Sequence, residues 1–554
     1  MSLSRFGLPL ALSLVVAGPA GAAAQEQPEA MPGPDLGRLG QVQLENSCIP
    51  QVQDRFQEGM ALLHSFWWDE AGRAFREVTD ADPTCLLGYW GLAMTLKLNP
   101  FGGAPPEANL RDGSAVLARA AAAPAGTPRE REYLDALGTF YLDYQNTDHR
   151  SRMLTYEARM RELAQQYPDD REATIFYALA AAANASTADT TFTRQREIGA
   201  LLQDMFRQTP DHPGLAHYII HAYDSPELAQ QGLDAARRYA EIAPTAFHAL
   251  HMPSHIFVRL GMWDETIESN LASAAASEHI EQQHDTTVAP AGVHAHRLHA
   301  LDYVMYGYLQ LGRDREARGV VKEIKAIDRV APGEQPLVSA YPLAAIPARY
   351  ALERGDWTAA ASLPVRPSPE FRPAEGITHY ARGIGAVRSG DPTAALEEAR
   401  ALMTLEESLP PAQSYWAGLL RAQRLGVEAW VAMAQGDTAR ATALAAEAAE
   451  LEAVHDKHPV TPGHVLPVRE LQGDLLVAMG RPAEARVAYQ AVLSREPNRA
   501  RSVFGDAWAA QLAGEHEAAA EAYRQYAALM EKGDAQRPQL TLARSYAQGL
   551  AKQQ

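Results

Sequence analysis

Cysteine is nearly missing from this 554-residue chain, which has only Cys48 and Cys85. So few thiols exclude iron–sulfur clusters and thiolate zinc centres. Basic residues also run short, 50 Lys and Arg against 68 Asp and Glu, for a formal net charge of −18. That balance argues against a nucleic-acid partner, because phosphate contact needs a basic face. Past the N-terminus there is no run of about 18 apolar residues, so no transmembrane segment is expected. Val, Ile and Thr runs bounded by turn residues are scarce, which leaves no credible sheet. A Gly-rich phosphate loop, Gly-x-Ser-x-Gly and His-Glu-x-x-His are all absent. The sequence therefore assigns no catalytic residue.

What is present is helical in character. Apolar residues make up 47 % and charged residues 21 %, ordinary for a globular chain. Alanine, the strongest helix former, recurs in stretches such as 441–449 and 518–522. The N-terminus reads as an address: Arg5, an apolar run from Leu8 to Val16, and Ala22-Ala23-Ala24 before Gln25. These are the parts of a secretory signal peptide over residues 1–24 with cleavage near Ala24, so the mature protein is expected to be exported, periplasmic or secreted. Residues 25–45, with Pro28, Pro32, Gly33 and Pro34, read as a flexible leader. Export permits a disulfide between Cys48 and Cys85; two small buried residues are the plainer alternative.

Internal repeats organise the rest. Gly480, Ala485 and Tyr489 recur 34 residues later as Gly514, Ala519 and Tyr523. The same Gly-x4-Ala step stands at Gly312/Ala317, Gly355/Ala360, Gly390/Ala395 and Gly436/Ala441, and Gly59, Leu62, Trp68, Ala71, Phe75 and Pro83 show the same design. Gly suits a close approach or a turn between two helices, Ala lets them touch, an aromatic fills the gap and Pro ends the unit. This pattern resembles the tetratricopeptide repeat, a 34-residue helix–turn–helix. It is matched closely at 52–85, 213–246, 466–499 and 500–533 and loosely at 247–280, 298–331 and 341–374. The whole chain also looks like a group of exported bacterial repeat proteins. The resemblance implies an all-α superhelix of antiparallel helix pairs, here an N-terminal array over 46–340 and a C-terminal array over 341–554. Irregular insertions are expected near 99–128 and 364–376, where Pro or Gly is dense.

One feature is not required by the repeat. Of 18 histidines, 11 fall between His212 and His299. In the repeat register His217 and His221 occupy positions five and nine of one unit. His248, His251 and His255 occupy positions two, five and nine of the next, and His299, Asp302 and Tyr306 those of a third. Positions two, five and nine share one helix face, and the resemblance implies that this face lines a concave groove. Pro253 sits inside the middle helix and should kink it or delay its start. A start at Pro253 would first cost His248 its inward placement.

Three readings follow. A His-lined groove over 217–306 fits a binding or scaffold protein that holds a peptide, protein or small ligand, since imidazole both donates and accepts hydrogen bonds. His217, His221, His251 and His255 also suit a zinc or copper site, because His-x3-His puts two imidazoles one turn apart. Asp302 would then be a ligand or its partner, and a metal-dependent hydrolase would use a metal-bound water. The third reading is packing histidines satisfied by nearby acceptors. Asp224, seven residues after His217, is either a third ligand or, the favoured reading, a helix N-cap ahead of Glu227, and His212-Pro213 reads as a helix entrance. His279 and His284 fall in an expected inter-helix loop. His294 and His296 could cover the groove, and His64 could face inward.

Overall fold

The computed structural model describes residues 36–123, 126–186, 189–284, 293–331, 336–534 and 537–551. The expected signal peptide and most of the expected leader lie outside them. Residues Gly37–Gln554 form one compact unit. Among the described residues the regular structure is helical, with a single isolated bridge between Val293 and Val330. No described helix is long and apolar enough to cross a membrane.

Consecutive helices pair and stack as an all-α solenoid of tetratricopeptide-like units. Gln53–His64 pairs with Trp68–Ala81, Pro213–Tyr223 with Ala229–Ile242, Ala295–Gln310 with Asp314–Lys325, Val468–Ala478 with Pro482–Leu493, and Ala500–Leu512 with His516–Leu529. The Gly-x4-Ala signal has a plain cause. Gly312 and Gly480 take left-handed φ of 66° and 71° to end their first helices, a conformation that penalises a Cβ. Ala317 and Ala485 lie fully buried where the second helix crosses the first.

Three expectations need correction. The proposed boundary at 340/341 falls inside the helix Pro336–Leu352, within the single unit. Residues 37–45 are anchored, because Leu39, Val42 and Leu44 are buried. The region 99–128 is only partly irregular: Glu107–Ala121 is a helix, and a second begins at Pro128 behind a Thr127–Glu130 capping box.

The stack also folds back on itself. Trp263 Nε1 donates to the Asn498 carbonyl at 2.9 Å, Lys532 pairs with Asp264 at 2.9 Å, and Asp534 N donates to the Gly312 carbonyl at 3.0 Å. The C-terminal repeats thus cover the middle of the chain. The face expected to line an open groove is interior: His217, His251, His255, Asp302 and Tyr306 are all buried.

Candidate metal centre

Four helical segments deliver the histidines. Pro213 opens the helix Pro213–Tyr223, and the His212 side chain caps it by accepting from Leu215 N at 3.3 Å. This fixes the register that turns His217 and His221 inward. The next first helix is broken, as Pro253 demands: Phe247–His251 ends, and Pro253–Leu260 restarts after Met252. Hydroxyls donate to carbonyls on either side of the break. Ser273 Oγ donates to the Phe247 carbonyl at 2.8 Å, Ser269 Oγ to the Leu250 carbonyl, and Ser254 Oγ to the His251 carbonyl at 2.7 Å. Ser269 and Ser273 belong to Trp263–His284, a 22-residue helix that also carries His279 and His284, so these two are helical and not in a loop. The restart does not cost His248 its place, because the short helix before the break carries it inward. Ala295–Gln310 brings His299.

The imidazoles converge in two triads. His217 Nε2 lies 3.1 Å from both His221 Nε2 and His248 Nε2. His251 Nε2 lies 3.0 Å from His255 Nε2, and a His299 nitrogen completes that group. Within each triad one nitrogen per residue lies within 4.8 Å of the others. The triads adjoin, with ring centroids 6.1 Å apart for both His221–His255 and His248–His251. His248 and His299, expected only as groove residues, thus complete sets of which sequence spacing marks just two members each.

The outer nitrogens fix the tautomers. His217 Nδ1 faces the His64 carbonyl at 2.7 Å and must donate to it. His251 Nδ1 is 2.6 Å from Asn270 Oδ1, and the Asn270 amide nitrogen donates to the Thr266 carbonyl, so His251 Nδ1 carries the proton. His255 Nδ1 donates to Asp224 Oδ2 at 3.0 Å. In a neutral imidazole the other nitrogen is then a bare lone pair. Two lone pairs therefore face each other across 3.0 Å between His251 and His255. Burial drives the imidazoles toward this neutral form: His217 is lowered to about 3, and His221, His248, His251 and His299 lie well below their ordinary value.

Asp224 is not a helix cap; Leu228 holds that position before Ala229–Ile242. Its buried carboxylate pairs with Arg259 Nε at 2.8 Å and Lys457 Nζ at 3.0 Å while orienting His255. Against the cost of burial, Lys457 and Arg259 hold it well below the usual carboxylate range.

Asp302 and Tyr306 share the helix face but do not join the imidazoles. Asp302 is held by Arg349 at 3.0 Å, and Tyr306 donates to Glu496 at 2.9 Å and accepts from Arg499 at 2.8 Å. Both are committed to the C-terminal repeats that fill the groove. His64 and His212 flank Glu172 at 2.9 and 2.7 Å, and His64 Nδ1 meets the Tyr218 hydroxyl at 3.0 Å. With His212 Nδ1 capping its helix, that cluster is complete without an ion. Cys48 and Cys85 are joined in a disulfide. His296 packs 6.1 Å from the His248 ring, and Phe247 touches both His294 and His296.

Sequence spacing did not show what covers the site. Phe101 stacks on His221 with ring centroids 4.1 Å apart, and Phe66 packs edge-on to His217 at 4.3 Å. Phe66 itself has φ of 53° and Leu98, three residues before Phe101, has φ of 60°. Such non-glycine left-handed residues are costly and cluster at functional sites. The Pro/Gly density around 100–106 was the only hint. Asn270 left none, because nothing local distinguishes it from any polar helix residue.

No known protein-family profile matches the chain, and no curated protein matches it. Solved structures similar to it include the P58(IPK) TPR domain, at 12% identity over 91% of this chain and 99% of that one, TM-score 0.21. The anaphase-promoting-complex hetero-tetramer Cut9-Hcn1 is similar at 12% identity over 89% and 96%, TM-score 0.27. Yeast Tom70 is similar at 10% identity over 91% and 96%, TM-score 0.27. No function is carried over from these likenesses.

Proposed function

We propose that this is an exported metal-binding protein that holds a pair of transition-metal ions in two adjoining tris-imidazole sites: His217, His221 and His248, and His251, His255 and His299. The observation that carries this is the pair of opposed lone pairs on His251 and His255. Bare lone pairs 3.0 Å apart repel unless a cation sits between them. Metal–nitrogen bonds of about 2.0–2.1 Å at ordinary angles bring nitrogens to roughly 3.3–3.6 Å, within a few tenths of an ångström of the spacing seen. Three imidazoles oriented by a carbonyl, an amide and a carboxylate match how ligating histidines are supported. Imidazole suits zinc and copper alike. The disulfide fits the exported location.

Metal analysis of purified protein tests the proposal. Two zinc or copper ions per chain are expected, falling to none in a His217→Ala/His251→Ala double variant. Substoichiometric metal that the double variant leaves unchanged would remove it.

A separate observation keeps a ligand-binding role in view. A cavity of about 440 Å³ opens in the C-terminal half between Trp357, Arg388, Trp430, Arg501, Trp508 and Arg537. Arg388 is sandwiched 4.5 and 4.2 Å from the Trp357 and Trp430 rings. If a peptide or protein partner binds, this arginine- and aromatic-lined cavity suits it better than the filled face at 217–306. Loss of partner capture in Arg388→Ala, with metal content intact, is the expected result.

A further inference from the structure

We infer that the two sites hold copper(I) and that the pair binds dioxygen between them. This rests on the metal-binding reading above and goes beyond it in naming the metal and its ligand.

Charge is the first argument. All six ligating groups are neutral imidazoles. The carboxylate that touches the cluster, Asp224, is already matched by Arg259 and Lys457, and Asp302 on the same helix face is matched by Arg349. Two divalent ions would place four positive charges in a buried site with no anion left to offset them. Two copper(I) ions halve that charge, and three nitrogen donors satisfy a copper(I) centre. Imidazole is among the ligands that suit copper.

Position is the second. Each triad supplies three ligands and leaves a coordination position open. The two cross-triad ring separations of 6.1 Å put both ions within reach of one two-atom bridge. The covering groups near the first triad are Phe66 and Phe101, so the ligand admitted is small and uncharged.

The third is an unpartnered donor. Tyr303 is fully buried, and its hydroxyl has no hydrogen-bond partner. Its ring packs 4.7, 5.6 and 5.3 Å from His251, His255 and His299. A buried phenol without a partner is costly. Donating to a reduced oxygen held at the second ion would satisfy it.

The chemistry balances without an outside reductant. Each copper(I) gives one electron, dioxygen takes two, and the product is a peroxide dianion bridging two copper(II) ions. No proton is consumed, the O–O bond stays, and release of dioxygen returns both electrons.

The test uses the full chain loaded with copper(I) under anaerobic conditions and titrated with dioxygen. One dioxygen per two coppers is expected, with an intense near-ultraviolet charge-transfer band and no paramagnetic resonance signal, since the two copper(II) spins couple. Removing dioxygen should reverse both. Tyr303→Phe should keep two coppers and weaken dioxygen binding about tenfold, the worth of one charge-assisted hydrogen bond. Two coppers bound with no dioxygen uptake, or with the signal of isolated copper(II), would overturn the inference and leave the metal-binding reading standing. Fewer than two coppers per chain, or zinc retained in preference, would also overturn it, and metal-free protein would overturn both.

Discussion

The repeat at 247–280 and the repeat at 466–499 share one design and put opposite chemistry at the same positions. Positions two, five and nine of the first are His248, His251 and His255. In the second they are Pro467, Glu470 and Asp474, and in the unit that follows they are Arg501, Phe504 and Trp508. The C-terminal charges answer one another. Arg499 reaches Glu470 at 2.6 Å and Glu353 at 2.5 Å, while Arg501 spans Glu470 and, at 2.8 Å, Asp474. Glu470, despite burial, is held below the usual range by Arg499 and Arg501. Every charge there has a partner within the protein. The imidazoles have no such answer, because a carbonyl, an amide and a carboxylate take the outer nitrogens of His217, His251 and His255, and the inner ones of His251 and His255 face each other. The same scaffold register yields a self-sufficient network in one place and an incomplete one in the other.

The largest expected effect tests that asymmetry directly. An ion that binds only the folded state stabilises it by about 4 kcal/mol per site at a thousandfold excess over its dissociation constant. Stripping both ions should lower Tm by roughly 5–10 °C in a chain of this size. The His217→Ala/His251→Ala variant should show no change on stripping. Equal Tm with and without metal in the parent protein would mean that the imidazoles are as complete as the charged network.

The converse test comes next. Arg499 is fully buried, and removing one partner of a buried pair costs about 3–5 kcal/mol. Arg499→Met should therefore lower the urea midpoint sharply while metal content stays at the parental value. Loss of metal in this variant would show that the two regions are not separable.

Legibility in the sequence followed the same division. Gly312, Ala317 and their counterparts exposed the helix pairs because a left-handed cap and a crossing point each tolerate few residues. His217-x3-His221 and His251-x3-His255 were legible because one helix turn fixes their relation. Assembly of the triads was less so: His248 depends on the break at Pro253, and His299 on a helix more than 40 residues away. The open groove was misjudged because its closure comes from residues 456–534, whose contacts with the 259–314 segment leave no local pattern. Asp302 and Tyr306 were grouped with the histidines by face alone, and face does not say which neighbour arrives to claim them.

A smaller effect, on pH dependence, marks a third kind of buried site. Lys97 is buried with its ammonium 5.1 and 5.2 Å from the Phe140 and Tyr156 rings. Burial, reinforced by the Arg152 charge, lowers its pKa from 10.5 to about 7. A lowered folded-state value means that the unfolded chain holds the extra proton between these limits. Stability is then greatest above 10.5 and falls as pH drops toward about 7. Lys97→Met should remove this slope. Its urea midpoint should exceed the parent's most at pH 7, and the gap should narrow as pH rises. Parallel curves from pH 7 to 10 would show that the rings hold the cation without cost.

The most local prediction concerns how His251 is oriented. Asn270 accepts from His251 Nδ1 at 2.6 Å, and this alone turns the lone pair of that ring inward. Asn270→Ala removes the acceptor and frees the ring to flip or to carry its proton on Nε2, where it would block a metal. Loss of such a supporting contact weakens metal affinity about 10–100-fold, a smaller change than loss of a ligand. Stability without metal should drop by only about 1 kcal/mol, the net worth of one hydrogen bond. Asn270→Asp keeps an acceptor at the same place and should restore affinity, because a carboxylate accepts the same N–H and supports the same tautomer. A competition titration against a chromophoric chelator separates the three proteins. Affinities equal across parent, Ala and Asp variants would mean that His251 needs no orientation, and the tautomer argument for the site would fall with it.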